Sequence, residues 1–157
     1  MTENNEIINQ IDLSFPSKSC NEAFSRAAIS AFIVQVDPTI DELTDIKTAV
    51  SEAVTNCIAH GYESKIGVIY INAKILFNNK IIIKIRDKGK GIEDVKQAME
   101  PLFTTGGSER SGLGFAVMQS FMDKVKVSST VERGTIVTLE KAIIRASNRV
   151  SENGVRS

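Results

Sequence analysis

The sequence has no excess of charge of either sign. Its 19 lysine and arginine residues balance 19 aspartate and glutamate residues, so the formal net charge is +0 at pH 7. A chain without a net field is not expected to be attracted broadly to DNA or to an anionic membrane. We therefore expect no direct nucleic-acid contact, no membrane association, and partners that are recognised through local patches.

Cysteines and long apolar runs are also scarce. Cys20 and Cys57 are the two cysteines, and both fall in predicted helices, which favours buried or half-buried reduced thiols over a disulfide. The first residues lack the basic and then apolar layout of a signal peptide, and no apolar run approaches membrane-spanning length. A chain of 157 residues suits one domain. These features predict a single-domain cytoplasmic protein.

The strand patterns are short and well punctuated, and no internal repeat is visible. An alternating stretch predicts a first strand at 11–15 that Pro16 stops. Asn78 and Asn79 tolerate the positive φ of a tight turn, so the strands on either side of them should pair antiparallel. The four later strands are predicted at 68–77, 80–86, 124–129 and 134–139.

Two capping-box pairs mark helix starts. Ser19 with Glu22 opens the first helix, and Thr39 with Glu42 opens the second, which Gly61 ends. Further helices are predicted at 95–99 and 112–122. The first helix is expected to turn these side chains toward the sheet: Phe24, Ala27, Ala28 and Ala31.

The second helix carries the first chemical motif, Glu52 and Asn56. Four residues apart, their side chains share one helix face. A carboxamide has poor propensity inside a helix, and its oxygen suits Mg²⁺, while Glu52 could be a second ligand or a general base. A solvated glutamate and a polar boundary residue are the structural alternatives. His60, the single histidine, is more often a favourable helix-end charge, with no role here beyond a possible phosphate contact.

The second motif is Asp87 followed by Gly89 and Gly91. Asp87 ends a run that should be buried, where an acid costs free energy unless it is paired, and the amino group of adenine would be such a partner. The glycines let the backbone approach a ligand closely. An exposed carboxylate in a turn is the alternative.

The third motif, Ser111, Gly112 and Gly114, begins a helix, where free N–H groups favour phosphate. Arg110 beside it could clamp a terminal phosphate, although a surface arginine is the default. The segment from about 93 to 111 otherwise predicts a mobile loop, which beside a phosphate site would serve as a lid. Thr104 and Thr105 in that loop could hydrogen-bond phosphate or simply decorate the loop.

Thr135 opens the last strand and could join Asp87 at the base through its hydroxyl group or a water molecule. The presence of Thr135 is explained equally well by the preference of β-branched residues for strands. The residues 147–157 are polar and predict a disordered tail.

Together these motifs resemble the N-box and glycine boxes of the ATPase superfamily that includes gyrase, the Hsp90 chaperone, histidine kinases and MutL. Within it, residues 51–62, 101–105 and 109–115 are similar to the sporulation anti-sigma F factors, a family of serine-protein kinases. The resemblance implies an α+β fold, a two-layer α/β sandwich of the Bergerat ATP-binding type whose mixed, mostly antiparallel sheet is backed by helices. Residues 1–146 would form one kinase domain.

The resemblance also implies partners and roles. Members of the family are homodimers that hold a sporulation sigma factor with ATP and phosphorylate a serine of an anti-anti-sigma factor. By motif position, Glu52 would be the catalytic base, Asn56 the Mg²⁺ ligand, Asp87 the adenine reader and Arg110 a γ-phosphate contact. The other residues that would bind the nucleotide are Gly89, Gly91, Thr104, Thr105, Ser111, Gly112, Gly114 and Thr135. Glu22 and Arg26 match positions at the shared partner surface.

Other functions remain open. A histidine kinase would need a phosphoacceptor histidine on a dimerisation helix, yet His60 lies within the N-box. An ATP-driven clamp would need a transducer domain after the ATPase module. An anti-sigma kinase of a general stress response, and a switch that binds ATP without transferring phosphate, are the closest alternatives.

Overall fold

The computed structural model describes residues 5–63, 65–100 and 110–144, the last of these ranges without the side chains of 110–113. Its strands are β1 (Ile7–Pro16), β2 (Val68–Leu76), β3 (Lys80–Asp87), β4 (Lys124–Thr130) and β5 (Gly134–Ala142). Its helices are α1 (Cys20–Ile33), α2 (Ile40–Asn56), α3 (Val95–Met99) and α4 (Arg110–Phe121). A 3₁₀ turn (Val34–Val36) follows α1, and a π-helical turn (Cys57–Gly61) continues α2.

The five strands form one sheet in the order β1-β2-β3-β5-β4. Every neighbouring pair in this sheet is antiparallel. The predicted α+β class is confirmed, and the part of the sheet that the structure describes is wholly antiparallel rather than mixed. β2 and β3 are joined at Asn78 and Asn79, and Asn79 has a φ of 62°, as the hairpin prediction requires.

Helices cover one face of the sheet and leave the other open. Alternate strand residues such as Ile71, Ile83 and Leu139 are buried, and their neighbours along the strands are half-buried or exposed. The buried strand residues form one core with the buried faces of α1, α2 and α4, which include Ile29, Ile33, Ile46, Val50, Val54, Phe115 and Met118. This two-layer arrangement places any site between helices and sheet within a rigid frame.

The two predicted capping boxes have opposite outcomes. Thr39 caps α2 as expected: its hydroxyl oxygen accepts from Glu42 N–H at 3.1 Å, and Glu42 Oε1 accepts from Thr39 N–H at 2.9 Å. Ser19 has helical dihedral angles and makes no side-chain cap hydrogen bond, so the predicted box there is wrong. The Glu22 carboxylate is occupied elsewhere, because it accepts from the Ser51 hydroxyl and contacts Arg26.

The predicted orientation of α1 is also wrong. Phe24 is 56% exposed, and Ala27 and Ala31 are exposed, whereas the buried face is formed by Ser25, Ile29, Phe32 and Ile33. The larger aliphatic residues near the C-terminal end of the helix set its rotation, because they bury more apolar area than alanines do. Cys20, expected to be at least half-buried, is exposed, while Cys57 is buried as predicted.

Candidate functional site

A cavity of about 490 Å³ lies between the C-terminal part of α2, the end of β3 and the start of β5. Asn56, Asp87, Gly91 and Thr135 line it, so the structure brings together predicted residues from the N-box, the second motif and the last strand. Its size is in the range of small-molecule sites.

The N-box and the third motif meet at Gly114. A Cβ atom on Gly114 would stand 3.2 Å from both Oδ1 and Nδ2 of Asn56 and 3.3 Å from Oε2 of Glu52. The Asn56 Nδ2 atom is buried and has no hydrogen-bond partner. An orphaned amide costs free energy unless a ligand or water satisfies it. The absence of a side chain at Gly114 therefore lets α4 pack closely against the polar groups of Glu52 and Asn56.

Asp87 is held at the base of the cavity and is only 4% exposed. Its Oδ1 accepts from Gly89 N–H at 2.9 Å. Burial raises the pKa of Asp87, and hydrogen bonds from the Gly89 N–H, the Cys57 thiol and the Thr135 backbone offset part of this rise. The same burial, together with the Asp87 charge, raises the pKa of Cys57. The carboxyl group thus sits where a ligand donor would relieve its desolvation.

The glycines are required by close approaches of the backbone. A Cβ on Gly89 would stand 2.0 Å from the carbonyl oxygen of Gly61, and Lys90 N–H donates to that same oxygen at 3.0 Å. Gly91 has a φ of 75°, and a Cβ there would stand 2.3 Å from the Thr130 oxygen. The second motif is therefore packed against the π-helical turn on one side and the β4–β5 connection on the other.

Thr135 lies directly opposite Asp87 in the β3–β5 register and is 8% exposed. Its hydroxyl is 2.8 Å from the Ser129 hydroxyl, which also bonds to Gly134 O and receives Ile92 N–H. Ser129 was not singled out from the sequence, since a serine in a strand carries no signal of its own. It connects β4 and β5 to the backbone that follows Gly91.

Three further lining residues were not assigned to the site or were given little weight: Cys57, His60 and Lys90. Burial lowers the pKa of His60, and the nearby Lys90 charge lowers it further. Lys90 forms an ion pair with Glu63 at 2.9 Å. Nothing in their spacing distinguishes these residues from ordinary helix-end and turn residues.

The side-chain positions of several predicted site residues are not described. Thr104 and Thr105 lie outside the described residues, as does the part 101–109 of the predicted lid. Arg110, Ser111 and Gly112 belong to the first turn of α4, which confirms a helix start there, but their side chains are not described.

Glu22 and Arg26 do not line the cavity. They lie on α1 with Nε and Oε1 2.8 Å apart, and Glu22 also accepts from the Ser51 hydroxyl. Ser51 directly precedes Glu52 in α2. The hydrogen bond from Ser51 to Glu22 therefore connects the predicted partner surface on α1 to the helix that carries Glu52.

Comparison with known proteins defines the class. Residues 16–141 match the model of the histidine kinase-like ATPase domain. The chain belongs to the family of histidine kinase-like ATPase domains, as the fold and the meeting of the motifs also indicate. In the part of the chain that the structure describes, no helix is long and apolar enough to cross a membrane.

Among curated proteins, the chain is similar to anti-sigma F factors. It is 58% identical over 139 residues to that of Thermoanaerobacter sp. strain X514, covering 88% of this chain and 96% of the relative. It is 59% identical over 141 residues to that of Caldanaerobacter subterraneus subsp. tengcongensis, covering 89% and 98%. These relatives confirm the resemblance to anti-sigma F factors.

Solved structures agree on the fold. The RsbU and RsbW domains of a Mycobacterium tuberculosis protein match with a TM-score of 0.64 at 16% identity, over 86% of this chain and 32% of that one. The histidine kinase domain of a blue-light activated kinase from Erythrobacter litoralis matches with a TM-score of 0.53 at 18% identity, over 78% and 61%.

Proposed function

We propose that this protein is an ATP-dependent anti-sigma factor and serine-protein kinase. It holds a sporulation sigma factor and phosphorylates a serine of the anti-anti-sigma factor that opposes it. The observation that carries the proposal is the contact of Glu52 and Asn56 with Gly114 beside a cavity based on buried Asp87. The names of relatives that are 58% and 59% identical supply the class of partner.

Nucleotide recognition begins at Asp87. Its carboxylate accepts from the adenine amino group, which replaces the water that burial has removed. Gly89 and Gly91 admit the nucleoside to the backbone, and Thr135 supports the base through its hydroxyl group. The phosphates lie toward the start of α4, where backbone N–H groups favour anions.

The phosphate cradle and the lid complete the nucleotide site in this proposal. Ser111, Gly112 and Gly114 approach the phosphates, and Arg110 contacts the γ-phosphate. Thr104 and Thr105, in a lid that spans about 93–111, add hydrogen bonds. The kinase domain comprises residues 1–146, and the predicted tail of residues 147–157 lies outside the described residues.

The residues present fit a magnesium ion that binds together with phosphate. Among the described residues, no group of three or more His, Cys, Asp or Glu could hold a metal alone, whereas two side-chain oxygens, Asn56 Oδ1 and Glu52 Oε2, stand 3.2 and 3.3 Å from the place of a Cβ atom on Gly114. Mg²⁺ typically takes one or two protein oxygens and completes its shell with phosphate and water. Asn56 would hold it, and the ion would neutralise charge on the transferring phosphate.

Glu52 acts as the base. Its carboxylate, one helical turn before Asn56, accepts the proton of the acceptor serine hydroxyl as that oxygen attacks the γ-phosphorus. The bond from the γ-phosphorus to the bridging oxygen breaks at the same time, and ADP leaves. In phosphoryl transfer the protein contributes mainly position and electrostatics, so a rigid helix is a suitable carrier for this group.

The proposed partners dock on α1. Glu22 and Arg26 form the contact shared by the sigma factor and the anti-anti-sigma factor. A different side of α1, together with the 3₁₀ turn that follows it, exposes an apolar stripe of Phe24, Ala27, Ala31 and Val34, which suits burial in a homodimer. The protein acts in the cytoplasm, without direct contact to nucleic acid or membrane.

Label transfer tests the proposal. ATP labelled at the γ-phosphate is incubated with the protein and its purified candidate anti-anti-sigma factor, with the Glu52→Gln variant as the matched control. Label on a serine of the partner, lost in the variant, is expected. ATP binding without label on the partner would support the switch without turnover and contradict the kinase.

The identity of the sigma factor needs a second experiment. Co-purification from the native cell in the presence of ATP should recover a sporulation sigma factor. Recovery of a general stress sigma factor instead would overturn the sporulation assignment while leaving the kinase intact.

A further inference from the structure

The open face of the sheet is strongly basic, although the whole chain carries no net charge. In register across the five strands, one row of this face is Ser14, Tyr70, Arg86, Ile136 and Ser128, and the next is Asp12, Asn72, Lys84, Thr138 and Lys126. A third row adds Gln10, Lys74, Ile82, Glu140 and Lys124. We call these three rows the open face.

Cations outnumber acids on the open face. Its basic residues are Lys74, Lys84, Arg86, Lys124 and Lys126, and its acids are Asp12 and Glu140. Asp12 accepts a hydrogen bond from Asn72 at 2.8 Å, which partly satisfies its charge. Because the chain is neutral overall, its acids are concentrated elsewhere, and the open face has a local positive field.

The cations flank β5, which presents Ile136, Thr138 and one acid, Glu140, on this face. Lys84 and Arg86 point outward from β3, and Lys124 and Lys126 point outward from β4, because residues two apart on a strand share a face. Between them β5 presents Ile136, which is half-buried. Two shallow depressions of about 470 and 450 Å³ lie on this face, one beside Ile136 and one beside Ile82.

We propose that the open face is a docking surface for an acidic segment of a partner protein that carries an apolar side chain. The paired rows of cations match acidic side chains, and the depressions at Ile82 and Ile136 accept the apolar one. This surface lies on the side of the sheet opposite the nucleotide cavity, so it can be occupied together with ATP.

A protein segment fits better than nucleic acid or a second copy. Single-stranded nucleic acids stack on several aromatic rings, yet Tyr70 is the single aromatic side chain in the three rows, and Lys88 Nζ lies 5.1 Å from its ring centre. Two copies meeting through this face would oppose like charges, which costs free energy.

The test uses defined probes. A fluorescent peptide of glutamates with a central leucine, the same peptide with glutamine in place of glutamate, one with alanine in place of leucine, and oligouridine are titrated with the full chain. The variant Lys84→Glu/Lys126→Glu reverses charge on the open face, and Lys18→Glu/Lys65→Glu reverses exposed lysines outside the strands. ADP affinity and oligomeric state are measured on each preparation.

We expect the glutamate–leucine peptide to bind most tightly and to weaken with added salt. The open-face variant should lose about tenfold in affinity, since two exposed ion pairs with the peptide are replaced by repulsion between like charges, while the control variant and ADP binding stay unchanged. Tighter binding of oligouridine, equal loss in the control variant, or no preference for leucine would each overturn the proposal. A change of oligomeric state in the open-face variant alone would assign the face to a second copy instead.

Discussion

Gly61 and the carboxyl group of Asp87 are in direct contact: a Cβ atom on Gly61 would stand 2.8 Å from Asp87 Cγ and 2.9 Å from Oδ2. The helix end therefore limits where the Asp87 carboxyl group can lie, and a side chain at Gly61 would displace it.

We expect Gly61→Ala to weaken ADP binding by at least about tenfold, because the added methyl group pushes the Asp87 carboxyl group from its place at the base of the cavity. Overpacking should also lower the free energy of unfolding by about 1–3 kcal/mol. Calorimetry and urea unfolding measure the two effects. Ala59→Ser, an exposed position in the same π-helical turn, is the matched control, and equal effects in both variants would contradict the steric account.

Asp87→Ala should weaken ATP and ADP alike, because both share the adenine base. A hydrogen bond to a charged group contributes about 1.5–3 kcal/mol, which is about ten- to a hundredfold in affinity. Unchanged ADP binding in a folded Asp87→Ala protein would remove the adenine assignment.

The pH dependence of stability should carry the signature of Asp87. Burial raises its pKa in the folded protein above its ordinary value of 3.8, so the folded state holds the proton longer than the unfolded state, and the free energy of unfolding falls as pH rises between the two values. Asp87→Asn removes this loss. Without nucleotide, the variant should therefore gain stability relative to wild type as pH rises from acid to neutral. Urea unfolding over a pH series checks this, and a difference that is independent of pH would contradict it.

Glu52→Gln should separate binding from chemistry. Glutamine retains the shape and can hydrogen-bond but cannot accept a proton, so phosphoryl transfer should fall roughly 10²–10⁴-fold with little change in nucleotide affinity. Asn56→Ala should instead weaken the part of ATP binding that depends on Mg²⁺. Transfer at the wild-type rate by Glu52→Gln would show that this residue is not the base.

The Glu22 and Arg26 pair should respond asymmetrically. Arg26→Ala should weaken sigma-factor capture by a hot-spot amount, about 2 kcal/mol or more, and leave ADP binding intact. Glu22→Ala should weaken capture and also lower thermal stability, since Ser51 loses its acceptor. Ser51→Ala isolates that stability effect. Normal capture by both α1 variants would refute the shared surface.

The two capping sites offer a matched stability test. Thr39→Ala breaks an observed capping box and should lower the free energy of unfolding by about 1 kcal/mol, whereas Ser19→Ala, where no cap hydrogen bond exists, should have little effect. Chemical unfolding of both variants decides this, and equal losses would show that the caps do not differ.

The contrast between Thr39 and Ser19 shows what local sequence can decide. Both carry the same pattern, and both glutamates make tertiary hydrogen bonds, Glu22 with the Ser51 hydroxyl and Glu42 with the Ile144 N–H. The two sites differ in the backbone, which is extended at Thr39 and helical at Ser19. The strand positions followed from alternation and turn chemistry, whereas the meeting of the motifs in one site followed from their resemblance to a known family. The rotation of α1 and the link from Ser129 to Thr135 depend on packing between distant segments, which one sequence does not display.

The position of β1 has a consequence for synthesis. Its pairing partner β2 follows α1 and α2 in the chain. Ser14 can therefore pair with Tyr70, and β1 can join the sheet, only after β2 has been synthesised. The β2–β3 and β4–β5 pairs join neighbouring strands and can close early. As the chain leaves the ribosome, β1 and the apolar stripe of α1 therefore emerge before β2, the strand with which β1 pairs. This early segment is where a chaperone, or a premature contact with another nascent chain, would act.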